Sequence, residues 1–318
     1  MVKFKFIIKM KKILIVPILL MLFIACNKKE VPELDFSVRT ERSNYRVGDT
    51  VRFLLSGNPD QVVFYSGLEG NKYIYKDRTQ AESDNITLEF NSNRRFGTDA
   101  QQPLSIRLLA SQKFSGSYLE ASINESADWV DITSAFTFSG SQASQDTYIN
   151  SGVVNLLGLT SLGLTIDKTK PIYFAFKFVG NTGSTQRTWR LTKFDIKLTT
   201  ADSQVLPVTT IGTAGWTSVK FGTSPANWTF TAGTSLLTIA GGNATALNNQ
   251  VWAITNPINL ISVVPDKGTP IKNMTTRADQ FSFIYNQPGT YKVTFDAFNI
   301  NVYGESRSVR DVELTINP

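Results

Sequence analysis

From Val31 to Pro318 the apolar residues alternate with polar ones or gather in short blocks, and no stretch keeps a helical period for three turns. That is the pattern of half-buried strands. Val51-Arg52-Phe53-Leu54-Leu55-Ser56 follows the turn Val47-Gly48-Asp49, and Gln61-Val62-Val63-Phe64-Tyr65 follows Gly57-Asn58-Pro59-Asp60. Successive side chains of a strand point to opposite faces. Ile172, Phe174, Phe176 and Phe178 are therefore expected on one face, with Tyr173, Ala175 and Lys177 on the other. Tyr291, Val293 and Phe295 repeat the pattern near the C-terminus. Many short strands between Gly, Asn, Ser and Pro turns predict an all-β chain built of sandwiches or jelly rolls.

One segment breaks the pattern. Ile13 to Ala25 is continuously apolar, follows Lys11-Lys12 and ends at Cys26, the single cysteine. It is too short to span a bilayer, which needs about 20 apolar residues, and has the length of a signal-peptide core with a small residue before the cut. The expected leader, residues 1–25, changes the charge argument. Five of the 32 Lys and Arg lie in it with no acid, so 27 bases remain against 26 acids, a net charge of +1. So balanced a chain offers no basic stripe for nucleic acid. With one cysteine the remainder holds no internal disulfide, and a chain of this size buries enough surface without one.

There is no histidine, which removes Ser-His-Asp and Cys-His catalysis and histidine-based zinc sites. No Gly-x-Ser-x-Gly elbow or phosphate-cradling Gly-rich loop is present. A two-carboxylate hydrolase remains formally open, but the acids are scattered singly and no pair announces itself. The expectation is a chain that is not an enzyme.

Several segments carry resemblances. Leu22-Phe23-Ile24-Ala25-Cys26 resembles a bacterial lipobox, which implies cleavage before Cys26 and a lipid on its thiol. The tether 26–32, with Lys28 and Glu30, resembles the export signal for the outer face of the outer membrane in Bacteroidota. Gln287-Pro288-Gly289-Thr290-Tyr291-Lys292-Val293-Thr294-Phe295 resembles a strand of polycystic-kidney-disease (PKD) domains. It implies an immunoglobulin/PKD-like β-sandwich made of 33–83 and 258–318. The insert 84–257 resembles a galactose-binding-like β-jelly roll. The residues that carry this are Trp129-Val130-Asp131-Ile132-Thr133, Ser151-Gly152-Val153-Val154-Asn155-Leu156, Pro171-Ile172-Tyr173-Phe174-Ala175-Phe176-Lys177-Phe178, Thr188-Trp189-Arg190-Leu191 and Val251-Trp252-Ala253-Ile254-Thr255-Asn256-Pro257-Ile258-Asn259-Leu260. With Phe64-Tyr65-Ser66-Gly67 and Pro265-Asp266-Lys267-Gly268, the series resembles a Bacteroidota lipoprotein family, domain of unknown function 5017. The resemblance implies a cell-surface lipoprotein, often associated with glycan uptake.

Sugar-binding jelly rolls stack pyranose rings on exposed aromatic faces. All five tryptophans (129, 189, 216, 228 and 252) fall inside the expected insert. Trp129, Trp189 and Trp252 sit in strand-like contexts and read as core, where aromatic side chains dominate. Trp216, beside Gly215, and Trp228, after Ser224-Pro225-Ala226-Asn227, read as loop residues and are the candidate platform. Tyr65, Glu69 and Tyr73, in a Gly-rich polar stretch before the insert, are further candidates for a carbohydrate cleft. Jelly rolls of the resembled class often hold a structural calcium. Asp195 in Phe194-Asp195-Ile196 is a candidate ligand, although calcium takes about six to eight oxygens and the sequence assembles no such set.

Three functional classes remain. The leading one is a glycan-binding accessory lipoprotein of the outer membrane, facing the exterior. It would bind polysaccharide or oligosaccharide, partner outer-membrane importer proteins and need no cofactor. The second is an adhesive or structural surface protein with protein partners, and the third a hydrolase.

Overall fold

The computed structural model describes residue 31 and residues 33–103, 105–140 and 147–318. The expected leader and the lipid-anchor residue Cys26 lie outside the described residues. The chain divides into two compact units, one of residues up to Asp77 together with Asp266–Pro318, the other Arg78–Pro265. In both, the regular structure is almost wholly β-strand. No helix among the described residues is long and apolar enough to cross a membrane.

In the discontinuous unit, Phe36–Thr40, Thr50–Gly57 and Gln280–Ile284 form a three-stranded sheet. A second sheet runs in the order Thr269–Lys272, Gln61–Tyr65, Gly289–Asn301, Gly304–Asn317 and Asn44–Arg46. Each sheet takes strands from both sides of the insertion, so neither piece closes a sandwich alone. The alternation read from the sequence sets the packing. Val51, Phe53 and Leu55 turn inward from one sheet, and Val62, Phe64, Val293 and Phe295 from the other. The rings of Phe53, Phe64 and Phe295 lie 5.0–5.7 Å apart in tilted and edge-on pairs, the arrangement aromatic quadrupoles favour. Tyr285 is fully buried and donates its hydroxyl to the Ser66 carbonyl at 2.8 Å. Burial, with Tyr291 nearby, pushes its phenol pKa far up, so the group stays a neutral donor.

The second unit is also a two-sheet sandwich. Five strands run in the order Thr217–Phe221, Asn249–Ile254, Tyr173–Gly180, Ile106–Ser111 and Val130–Asp131. The facing sheet runs Trp228–Thr231, Leu236–Ala240, Thr188–Thr199, Asn85–Arg95 and Ile149–Asn150, with Val205–Thr209 and Val154–Asn155 added at its long strands. Phe174, Phe176 and Phe178 all face the core between the sheets. Ala175 and Tyr173 face the other way, as the alternation requires, into a second apolar cluster with Phe114, Trp129, Val219 and Trp252.

The units divide outside the expected insert 84–257. Thr79 accepts a backbone hydrogen bond from Val263 and Ala81 donates one to Ile261. Ile258, Leu260 and Val263 pack into the core of the second unit. The chain ends entering and leaving the insert are thus zipped together and belong to it.

Candidate functional site

The candidate tryptophan platform is corrected by the structure. Trp228 opens the strand Trp228–Thr231, is 4% exposed, and donates its indole N–H to the Val251 carbonyl at 3.1 Å. Trp216 is half-buried. It lies edge-on to Phe194 at 5.1 Å, close to Phe176 at 5.7 Å, and donates to the Ile211 carbonyl at 2.9 Å. Both pack on the inter-sheet core, where aromatic area gains most from leaving water. Trp129, Trp189 and Trp252 are buried as the sequence predicts.

The stretch from Tyr65 to Tyr73 does build a concave surface, in the discontinuous unit. After Tyr65 the chain leaves the sheet and folds back over the Gly289–Asn301 strand. Gly67 makes this possible. It holds φ +78°, and a Cβ there would sit 2.7 Å from the Lys292 carbonyl oxygen. A turn from Gly67 to Asn71 then leads into a 3₁₀ turn, Tyr73–Tyr75, with no buried residue. Asp266 braces this loop, since its carboxylate accepts from the Lys72 amide at 2.8 Å and its own amide donates to the Tyr75 carbonyl at 3.1 Å.

The result is a cleft of 200 Å³ lined by Gly67, Lys72, Tyr73, Ile74 and, from the crossing strand, Thr290, Lys292 and Thr294. Tyr65 is buried behind it and meets the Tyr73 ring edge-on at 5.2 Å. Burial, and then the charge of Asp296, raise the Tyr65 phenol pKa. The buried Asp296 is held by the fork of Arg307, Nε to Oδ1 at 2.6 Å and Nη2 to Oδ2. Lys76 Nζ lies 5.4 Å over the Tyr73 ring. Glu69 is exposed on the turn and does not line the cleft. Tyr65 and Tyr73 are thus brought together, with Glu69 apart from them. Lys72, Ile74, Thr290, Lys292 and Thr294 were not singled out from the sequence. The signal for the last three is the polar half of the Thr290–Phe295 alternation. No carboxylate lines the cleft, so it offers no acid–base pair of the glycosidase type.

Asp195, the candidate calcium ligand, sits on the long Thr188–Thr199 strand opposite Glu89. Lys193 Nζ lies 2.6 Å from Glu89 and 3.9 Å from Asp195, and Lys197 lies 3.3 Å from Glu89. Two ammonium groups therefore meet this carboxylate pair, and no third acid joins it among the described residues. A divalent ion there would have to displace them. The Lys193 hydrogen bond chiefly holds Glu89 below the usual carboxylate range. Burial opposes it, while the Lys193 charge and bonds from Lys197 and Asn150 assist. A depressed folded pKa gives stability that is full above the ordinary Glu value of about 4.3 and is lost as pH falls through the lower folded value. Glu89→Gln is therefore expected to flatten the fall in urea midpoint between about pH 5 and about pH 3 relative to the parent. Equal slopes for parent and variant would contradict this assignment.

No curated protein matches the sequence. Among solved structures, trypsin-activated alpha-2-macroglobulin from Escherichia coli is similar at 12% identity and a TM-score of 0.14, over 91% of this chain and 17% of that one. The chain thus spans about one sixth of that protein's length, and a likeness so low has no bearing on fold or function. The family model for a domain of unknown function, DUF5017, matches residues 25–216, covering the four strands from Phe36 to Tyr65 and more than half of the second unit. The chain belongs to the DUF5017 family.

Proposed function

We propose that the chain is a non-catalytic lipoprotein, anchored through Cys26 at the surface of the outer membrane, that binds glycans as an accessory to a polysaccharide uptake system. The leader and the residues after Cys26 support the anchor. The lining of the cleft carries the binding reading. A pyranose offers an apolar C–H face and a rim of hydroxyls. Tyr73 and the 68%-exposed Ile74 supply apolar surface. Around them stand the Thr290 hydroxyl and the Lys72 and Lys292 ammonium groups, which can bond the rim. Lys292 is steadied by Asp311 at 2.8 Å, and Asp311 also accepts from Thr294 at 2.7 Å. The donors of the crossing strand are thus held in place before a ligand arrives.

Affinity electrophoresis of the purified protein against a polysaccharide panel tests this reading. Retention on one glycan is expected, weakened roughly tenfold, about 1.4 kcal/mol, by Tyr73→Ala combined with Ile74→Ser. No retention by the folded protein would favour the alternative of a surface protein with protein partners. Retention that the double variant leaves unchanged would place binding elsewhere.

A further inference from the structure

The long hairpin Gly289–Asn301 and Gly304–Asn317 closes through only two residues, Val302 and Tyr303. Two-residue hairpin loops favour Asn and Gly, because the matching turns need positive φ. Here neither residue has positive φ, and a β-branched and an aromatic side chain stand 92% and 54% exposed. They gain nothing from burial and serve no turn chemistry. A local rule broken without structural benefit marks a residue kept for another reason.

The surroundings point to that reason. Among the described residues of this unit, seven large apolar side chains are exposed: Val47, Ile74, Met274, Ile284, Ile300, Val302 and Tyr303. The strand registers place four of them at one end. Ile300 and the loop extend the Gly289–Asn301 strand past its pair Phe298–Gln61, and Met274 follows Lys272, which pairs with Val62 at the same end. The chain also enters the unit there. Phe36 pairs with Gly57, and a Cβ at Gly304 would lie 3.7 Å from Val31 Cγ2. Four residues lie between Cys26 and Val31, which makes five Cα–Cα steps. Fully extended at about 3.3–3.6 Å each, they span at most about 18 Å.

We propose that this end of the discontinuous unit seats on the lipid surface that holds Cys26, with Val302, Tyr303 and Ile300 in the interfacial layer. The inference rests on the anchor reading above. A tether so short keeps the hairpin end at the headgroups, where a tyrosine is favoured because its ring is apolar and its hydroxyl polar. Glu33, Asp35, Asp60 and Glu305 lie around the same end, with Lys272 and Arg307 beside them. Mixed charges of this kind make no basic patch for anionic lipid, so the surface it fits is zwitterionic, and the contact is apolar rather than electrostatic.

The test uses the full chain with its leader, carrying Val302→Cys, purified from membranes and placed in phosphatidylcholine vesicles. With Cys26 acylated, position 302 bears the one thiol free for a polarity-sensitive fluorophore. Ile284→Cys serves as reference, since residue 284 pairs with Thr50 at the opposite end and is 47% exposed. Nitroxide-bearing lipid is expected to quench the label at 302 several-fold more than the label at 284. Equal quenching on protein that floats with the vesicles and carries acyl mass on Cys26 would overturn the seat and leave the anchor standing. Protein that neither floats nor carries that mass would overturn the anchor reading, and the seat with it.

Discussion

Trp228→Ala is expected to destabilise the Arg78–Pro265 unit by about 3–5 kcal/mol, the usual loss for deleting a large buried aromatic side chain. The residue is 4% exposed, pairs through its backbone with Ile239, and spends its one polar atom on the Val251 carbonyl. Truncation removes the packing and leaves that carbonyl without its indole partner. All five tryptophans lie in this unit, so urea unfolding followed by tryptophan fluorescence reports on it alone. The midpoint is expected to fall by more than about 1 M. Trp216→Ala should cost less, because that ring is half-buried. A loss of glycan retention in Trp228→Ala at an unchanged midpoint would restore the tryptophan platform, and a loss below about 1 kcal/mol would deny the ring its place in the core.

The two tryptophans also show where reading a sequence stops. Alternation reports that one face of a strand is buried. It assigned Phe174, Phe176 and Phe178 correctly, and placed Val293 and Phe295 on one face. It does not report where the chain goes after a turn. Ser224-Pro225-Ala226-Asn227 is turn chemistry, yet the next residue is the first of a strand and faces inward. Trp129 and Trp252 raise a second difficulty. Their ring centroids lie 5.3 Å apart on the outer side of a sheet, under the segment that carries Phe114. The apolar run Val251-Trp252-Ala253-Ile254 marks both faces of its strand as buried, but it does not say which segment covers the outer one.

The cleft was half legible for a similar reason. The polar residues Thr290, Lys292 and Thr294 could be assigned to one face of their strand from spacing alone. That the chain after Tyr65 would cross that face depends on the close approach of Gly67 to the Lys292 backbone. This contact joins parts of the chain far apart in sequence, and no local pattern encodes it. The opposite holds for Glu69, which its Gly-rich neighbours suggested as a cleft residue. Those glycines serve a turn, and the turn carries Glu69 outward.

Arg187→Ala is expected to cost about 3 kcal/mol, although no apolar core is lost. The guanidinium is almost wholly buried, and Nη1 donates to two consecutive carbonyls, Phe96 and, at 2.7 Å, Gly97. Phe96 and Gly97 hold φ of +63° and +64°. A left-handed phenylalanine costs roughly 1–2 kcal/mol, and the arginine bonds help hold that turn. Nη2 also reaches Asp99 at 2.5 Å, but that carboxylate is largely exposed. Burial, and then Arg94, lower the Arg187 pKa while Asp99 opposes, yet an arginine remains charged throughout the working range. Asp99→Asn should therefore lose less than about 1 kcal/mol, as exposed ion pairs do, whereas Arg187→Ala takes from the Phe96 and Gly97 carbonyls the donor that ties this turn down. Urea midpoints of the two variants separate these contributions. Equal losses would mean that the ion pair, and not the capture of the left-handed turn, fixes this loop.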